Sequence, residues 1–172
     1  MTATTMTERQ EAIEKIDSLI QDIEIAMLTT QAETGLLRSR PMVSVTRRFD
    51  GDLWFFSHDD DPRMRDLKAH SRVGIVFACP GSKSYISLSG EATEVRDRRK
   101  CESLWKSDLL EWFADGVETE GLVLIQVKVD HAEYWDHQRA TMVQIFKAIV
   151  SGEEVDRMAH DEITWPSAVT PE

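Results

Sequence analysis

Apolar residues recur at helical spacing over Ile13, Ile16, Ile20 and Ile23, with acids between them. The period predicts a helix over Thr7 to Ile23, opened by the capping-box spacing of Thr7 and Gln10. The pattern then changes to strand-like runs. Ile25 to Thr30 reads as a strand ended by Glu33-Thr34-Gly35, and Leu37 to Phe49 as a long strand. Pro41 inside that strand requires an edge, a bulge or an unpaired amide. Asp50-Gly51-Asp52 marks a hairpin turn before a strand over Leu53 to Ser57. Asp61 is placed to cap a short helix with Pro62 at its first position.

Val73 to Ala78 is a compact apolar strand, and Cys79-Pro80-Gly81-Ser82 a turn. Tyr85 to Val95 alternates, with Gly90 marking a bulge or bend. Asp97 to Phe113 reads as mostly helical. Leu122 to Val129 and Ala132 to Asp136 read as the last strands, and Met142 to Val150 as a second amphipathic helix. From Ser151 the chain is acidic, with Pro166 and Pro171, and is expected to be a loosely held tail. Six or seven strands joined by short turns, with helices at the ends, predict a mainly β fold: an antiparallel barrel with flanking helices. The expected organisation is one domain over residues 1–150 and an acidic tail over 151–172.

Composition narrows the function. The 172 residues carry a formal net charge of −11, which argues against nonspecific binding to nucleic acid or anionic membrane. The N-terminus holds Glu8, Glu11, Glu14 and Asp17 and no unbroken apolar run. It does not read as a signal peptide, and no segment reads as a membrane span. Cys79 and Cys101 are expected to be free thiols in a reducing compartment, so the expected location is the cytoplasm. No asparagine is present, so there is no N-glycosylation acceptor. The five histidines show no metal spacing and no metal site is expected. Ser103-Leu-Trp-Lys106 matches a serine-enzyme tetrad without its companion motifs.

Chemistry concentrates between residues 40 and 63. Arg40 lies on one strand, Ser57 ends the next, and Arg63 follows the Asp61-Pro62 helix start. Two guanidiniums, a hydroxyl and a helix N-terminus are the parts of a phosphate site. The apolar and aromatic residues beside them suit a flat ring. Asp59, Asp60 and Asp61 would repel a dianion unless they point away or cap the helix. Trp105 and Trp112, seven apart in a predicted helix, share a face that suits a flat ligand or a second subunit.

Arg40-Pro-Met42, Leu53-Trp-Phe-Phe-Ser57, Arg63 ahead of Arg65-Asp-Leu67, Val73-Gly-Ile-Val-Phe77, Tyr85-Ile-Ser-Leu-Ser-Gly90, Leu104-Trp105, Trp112-Phe113 and Ala132-Glu-Tyr-Trp-Asp136 together carry a family likeness. In order and spacing they resemble the pyridoxamine 5′-phosphate oxidase-like flavoproteins, and among them the general stress protein group. The resemblance spans roughly Ile13 to Asp136. It implies an FMN-binding split barrel, six- to seven-stranded, antiparallel and Greek-key, in a homodimer with FMN at the subunit interface. It implies that Arg40, Pro41, Met42 and Val43 line the flavin, with Arg40 near the phosphate. Phe56 and Ser57 match the aromatic–hydroxyl pair that meets the cofactor. Pro62 and Arg63 stand at the phosphate, Arg63 where the group usually has lysine. Tyr85 occupies another ligand-lining position. Trp105 and Trp112 match aromatics that approach the flavin from the other subunit.

The chain also departs from that pattern. The usual small residue ahead of the phosphate-binding position is Asp61. The arginine-bearing C-terminal motif of true pyridoxamine phosphate oxidases has no counterpart in Trp165-Pro-Ser-Ala-Val-Thr-Pro-Glu172. The resemblance therefore implies an FMN-dependent oxidoreductase of unspecified substrate, exchanging electrons with a small-molecule donor or acceptor, NAD(P)H among the candidates. The alternatives are a non-catalytic flavin-binding stress or sensor protein and, less well matched, a pyridoxamine 5′-phosphate oxidase. No residue is assigned a catalytic role.

Overall fold

The computed structural model describes residues 2–136 and 159–164, with side chains from Gln10 to Trp135. Helix α1 (Thr2–Ile20) buries Ile13, Ile16 and Ile20. It starts ahead of the expected cap, since no glycine or proline interrupts the residues before Thr7. It ends at Ile20, whose carbonyl accepts the Ile23 N–H at 2.9 Å, and Ile23 packs on the core from that turn.

Strands β1 (Ile25–Gln31) and β2 (Leu37–Val43) form a hairpin that pairs Thr30 with Arg38, Leu28 with Arg40 and Ala26 with Met42. With β3 (Asp52–His58), β4 (Arg72–Cys79), β5 (Ser84–Val95) and β6 (Leu122–Asp136), they build one antiparallel sheet in the order β2-β1-β4-β5-β6-β3. Pro41 sits on the edge strand, where its missing N–H breaks no ladder. β2 is shorter than its apolar pattern suggested. The chain leaves β1 after Val43, and Ser44 bridges Phe55 of β3. The Phe49 N–H is satisfied by the Asp17 carboxylate at 2.7 Å rather than by a strand. The bridge brings the two edges of the sheet together and curls it into a half-barrel.

The expected irregularity at Gly90 is present: the β5–β6 register shifts between Ser89 and Gly90. A Cβ there would run into the Lys128 carbonyl, so only glycine permits this approach. β6 runs unbroken through Asp130 and His131, joining the two short strands expected there. Its first half lies between β5 and β3, and its second half between β5 and β7 (Ala159–Thr164). Part of the acidic C-terminal segment is therefore sheet, because the far half of β6 extends past β3 and offers a free ladder. The helix expected over Met142 to Val150 lies outside the described residues.

Helix α2 (Pro62–Ala69) has Asp61 as its N-cap and Pro62 in its first turn, as the sequence predicts. The single helix expected over Asp97 to Phe113 is two pieces. Asp97 caps α3 (Arg98–Leu104), Trp105 is extended at φ −61°, ψ 137°, and Ser107–Glu111 forms a 3₁₀ turn. The break lets Trp105 turn onto Phe56, with ring centroids 5.4 Å apart at 68°. It also separates Trp105 from Trp112, so the two do not share a helical face.

Alternation along the strands divides the apolar residues between two clusters. Phe55, Ile125, Leu28, Ile75 and Phe77 face the barrel interior, closed by the isoleucines of α1 and by Met64 and Leu67 of α2. Phe56 and Leu124, one residue from Phe55 and Ile125, face outward onto Val45, Leu104, Leu109 and Phe113. Both cysteines are free; Cys101 is buried, which pushes its thiol pKa up. No described helix is long and apolar enough to cross a membrane.

Candidate functional site

Arg38, Arg40 and Met42 alternate along β2 and so project to one side of it, while Pro41 and Val43 project to the other. Helix α2 lies beside that first side and supplies Asp66, which is 6% exposed although charged. The buried Thr30 hydroxyl donates to Asp66 Oδ2 at 2.9 Å. Arg40 Nη1 donates to Thr30 Oγ1 at 3.0 Å, and its Nη2 lies 3.5 Å from Asp66 Oδ2. Arg38 Nη1 approaches the other Asp66 oxygen at 3.8 Å. One buried carboxylate thus orients a hydroxyl and two guanidiniums.

The α2 N-terminus closes the cluster. Arg63 folds back on its own cap: Nε donates to Asp61 Oδ1 at 2.8 Å and Nη2 to Asp61 Oδ2 at 2.6 Å. The Arg63 backbone N–H also donates to Asp61 Oδ1, at 2.8 Å. Arg63 Nη1 contacts the Met42 sulfur, which ties Arg63 to the β2 face that carries Arg40. The Arg63 side-chain hydrogen bonds hold the Asp61 carboxyl below the usual carboxylate range, opposed in part by burial, and the Arg40 charge adds to the effect. Arg40 and Arg63 are therefore brought together, as the sequence predicts. The helix start is less available than expected, because Asp61 takes its first side-chain-accessible N–H.

The other predicted residues divide. Ser57 is buried, and its hydroxyl donates to the His58 carbonyl at 3.3 Å. Phe56 lies in the outer cluster with Trp105 and Phe113, and His58 stacks on Phe113 at 4.9 Å between centroids. Val43 packs against the same cluster. Pro62 is exposed, as is Trp112 at 55%. Tyr85 pairs with Ala78 and Trp135 on β5, three strands from β2. At 4.7–4.9 Å per strand that is about 14 Å away within one chain. Thr30 and Asp66 were not predicted as site residues; the available signal was that Asp66 lies between Arg65 and Leu67 in a segment that carries the family likeness.

Both sides of the seam between β2 and β3 are thus furnished. One side has three guanidiniums around two carboxylates; the other has edge-to-face aromatics. Arg40 uses two of its five N–H donors within the protein, leaving donors for an anion the size of one phosphate. Residues Asp59, Arg96, Arg98 and Glu118 line a separate cleft of about 330 Å³. Its arginines are closed on Asp59 and Glu94 and on Glu102 and Glu118. Among the described residues no group of His, Cys, Asp and Glu is arranged to hold a metal ion.

A curled antiparallel sheet of this order, with α2 packed on β1 and β5, is the split-barrel fold. Residues 11–156 match the model of the pyridoxamine 5′-phosphate oxidase-like family, and the chain belongs to that family. A crystal structure of the general stress FMN/FAD binding protein of Xanthomonas citri is 26% identical, with a TM-score of 0.65 over 77% of this chain and 94% of that one. The general stress protein 26 structure from Jannaschia shares the fold at 19% identity and a TM-score of 0.67, over 91% and 99% of the two chains. Protein bli-3 of Neurospora crassa is 29% identical over an alignment of 132 positions, and the match covers 71% of this chain and 63% of the fungal protein.

Proposed function

We propose that this chain binds FMN as a homodimer and serves as an FMN-dependent oxidoreductase of a small-molecule substrate. The observation that carries the reading is the convergence of Arg38, Arg40 and Arg63 on one side of β2, with an aromatic cluster on the other side of the β2–β3 seam. The residues fit a mononucleotide: one phosphate-sized group of donors, with no dinucleotide glycine fingerprint in the sequence. The family membership and the flavin-binding Xanthomonas relative support the same reading. Arg40 and Arg63 would hold the phosphate, with Asp66 and Thr30 fixing the Arg40 guanidinium. Phe56, Trp105 and Phe113 would exclude water from the ring. A bound flavin supplies hydride or single-electron transfer; the protein supplies position and electrostatics.

The homodimer rests on the outer sheet face. Met27, 39% exposed, pairs with Val76, 41% exposed, and also with Pro41. Ile25, one turn of the pleat away, is 47% exposed. A contiguous apolar sheet face of this kind favours a partner surface, and a second copy would bring Trp112 or Tyr85 to a site that one chain leaves open. Native mass spectrometry of the purified, flavin-loaded protein tests both parts. Two chains with FMN is the expected result. A monomer, bound FAD, or no flavin uptake on titration would overturn it. Anaerobic mixing with NADPH or NADH, against free FMN as control, then tests for turnover.

A further inference from the structure

Arg63 and Asp61 stand two residues apart at the start of α2, and the structure joins them. The carboxylate grips Nε and Nη2 of the guanidinium together, at 2.8 and 2.6 Å, a two-point fit of the kind a phosphate also makes. Both partners are shielded: the side chains are 17% exposed for Arg63 and 23% for Asp61. Around them, three guanidiniums face two carboxylates, leaving one excess positive charge. A phosphate ester near neutral pH carries close to two negative charges.

We propose that Asp61 is a specificity-determining residue: by occupying the Arg63 fork as an internal carboxylate, it lowers the preference of the site for phosphorylated over unphosphorylated flavin. This rests on the FMN reading above. A phosphate reaching Arg63 must displace or share the fork with Asp61, and the phosphate bears that cost while the ring does not. Removing the Asp61 charge raises the excess to two, matching the dianion. Riboflavin carries the same ring and no phosphate, so it is indifferent to the exchange. Asp66 does not act this way, because it takes a single Arg40 donor, Nη2 at 3.5 Å, while Nη1 turns to Thr30, so no carboxylate grips that guanidinium at two points.

The test is equilibrium titration of the full chain with FMN and with riboflavin, followed by flavin fluorescence, for the wild type, Asp61→Asn and Asp61→Ser. Asparagine and serine both cap helices well, so α2 keeps its N-cap in each. The expected result is that both variants bind FMN about tenfold more tightly, equivalent to about 1.4 kcal/mol, while riboflavin affinity stays within about twofold. Any other pattern across the two variants overturns the proposal, including unchanged or weaker FMN binding, or riboflavin moving in parallel with FMN. If the wild type binds neither flavin, the FMN reading itself falls and this inference with it. If the wild type binds flavin and the variants fail the pattern, only this inference falls.

Discussion

Two aspartates on one short helix serve two arginines in opposite ways. Asp66 is buried within the fold, reaches Arg40 at 3.5 Å and shares its oxygens with Thr30 and Arg38. Asp61 is at the helix start and holds Arg63 in a tight two-point pair. The first arrangement divides one charge among several donors and leaves each with spare capacity. The second commits Nε and Nη2 of one guanidinium to a single carboxylate. Counting charged residues would treat the pairs as equal, but their geometry makes Arg40 a prepared binding group and Arg63 a competed one.

The sharpest way to break this comparison is to remove Arg63. Arg63→Ala deletes a shielded cation from the phosphate site and leaves the Asp61 carboxylate without its partner. Losing one member of a desolvated charge contact costs about 2–5 kcal/mol, which is roughly 30-fold to a few thousandfold in the FMN dissociation constant. Riboflavin binding should change little. Unchanged FMN affinity with a folded protein would place Arg63 outside the site.

A smaller effect is expected on stability at the other pair. Asp66→Ala leaves the Thr30 hydroxyl, 1% exposed, without its acceptor. An unsatisfied buried polar group costs about 1–3 kcal/mol. Arg38 and Arg40 retain partial solvent access, at 42% and 26% side-chain exposure, and so add less. Asp66→Asn, which keeps an acceptor oxygen, should lose less than Asp66→Ala in urea unfolding. Equal losses would show that the hydroxyl bond contributes little.

The contrast between the pairs also marks what the sequence could convey. Pro41 at an edge, Gly90 at a bulge and Asp61-Pro62 at a helix start are legible because each is a local steric or capping requirement, decided within a few residues. The Arg40–Arg63 convergence was legible from the order of strand, hairpin and helix start, and the family pattern agreed with it. Thr30 and Asp66 were not, because they meet across 36 residues of chain and only after α2 packs on β1. Trp105 and Trp112 show the reverse failure. Their spacing of seven suggested one helical face, but the gain from packing Trp105 on Phe56 outweighs helical continuity at that point. Tyr85 sits on the sheet the sequence described, yet three strands from β2, because strand order is not written in strand pattern.

The smallest expected effect sharpens the comparison by pH. Hydrogen bonds from Arg63, with Coulombic help from Arg63 and Arg40, lower the Asp61 pKa in the folded protein. A carboxyl whose folded pKa is depressed stabilises the fold fully above its unfolded pKa, about 3.9, and loses that contribution as pH falls through the lower folded value. Asp61→Asn keeps the cap but cannot carry the charge, so it lacks this term at every pH. The wild type should exceed the variant in stability by a constant amount, under about 1 kcal/mol for a partly exposed pair, from neutral pH down to about 5. Below about 4 the difference should shrink toward zero. Urea unfolding of both proteins across this range measures it, and taking the difference cancels the carboxylates they share. Carbon-detected NMR of the Asp61 carboxyl provides the direct check: titration at or above the ordinary aspartate value would show that the Arg63 fork is not held by Asp61 in solution.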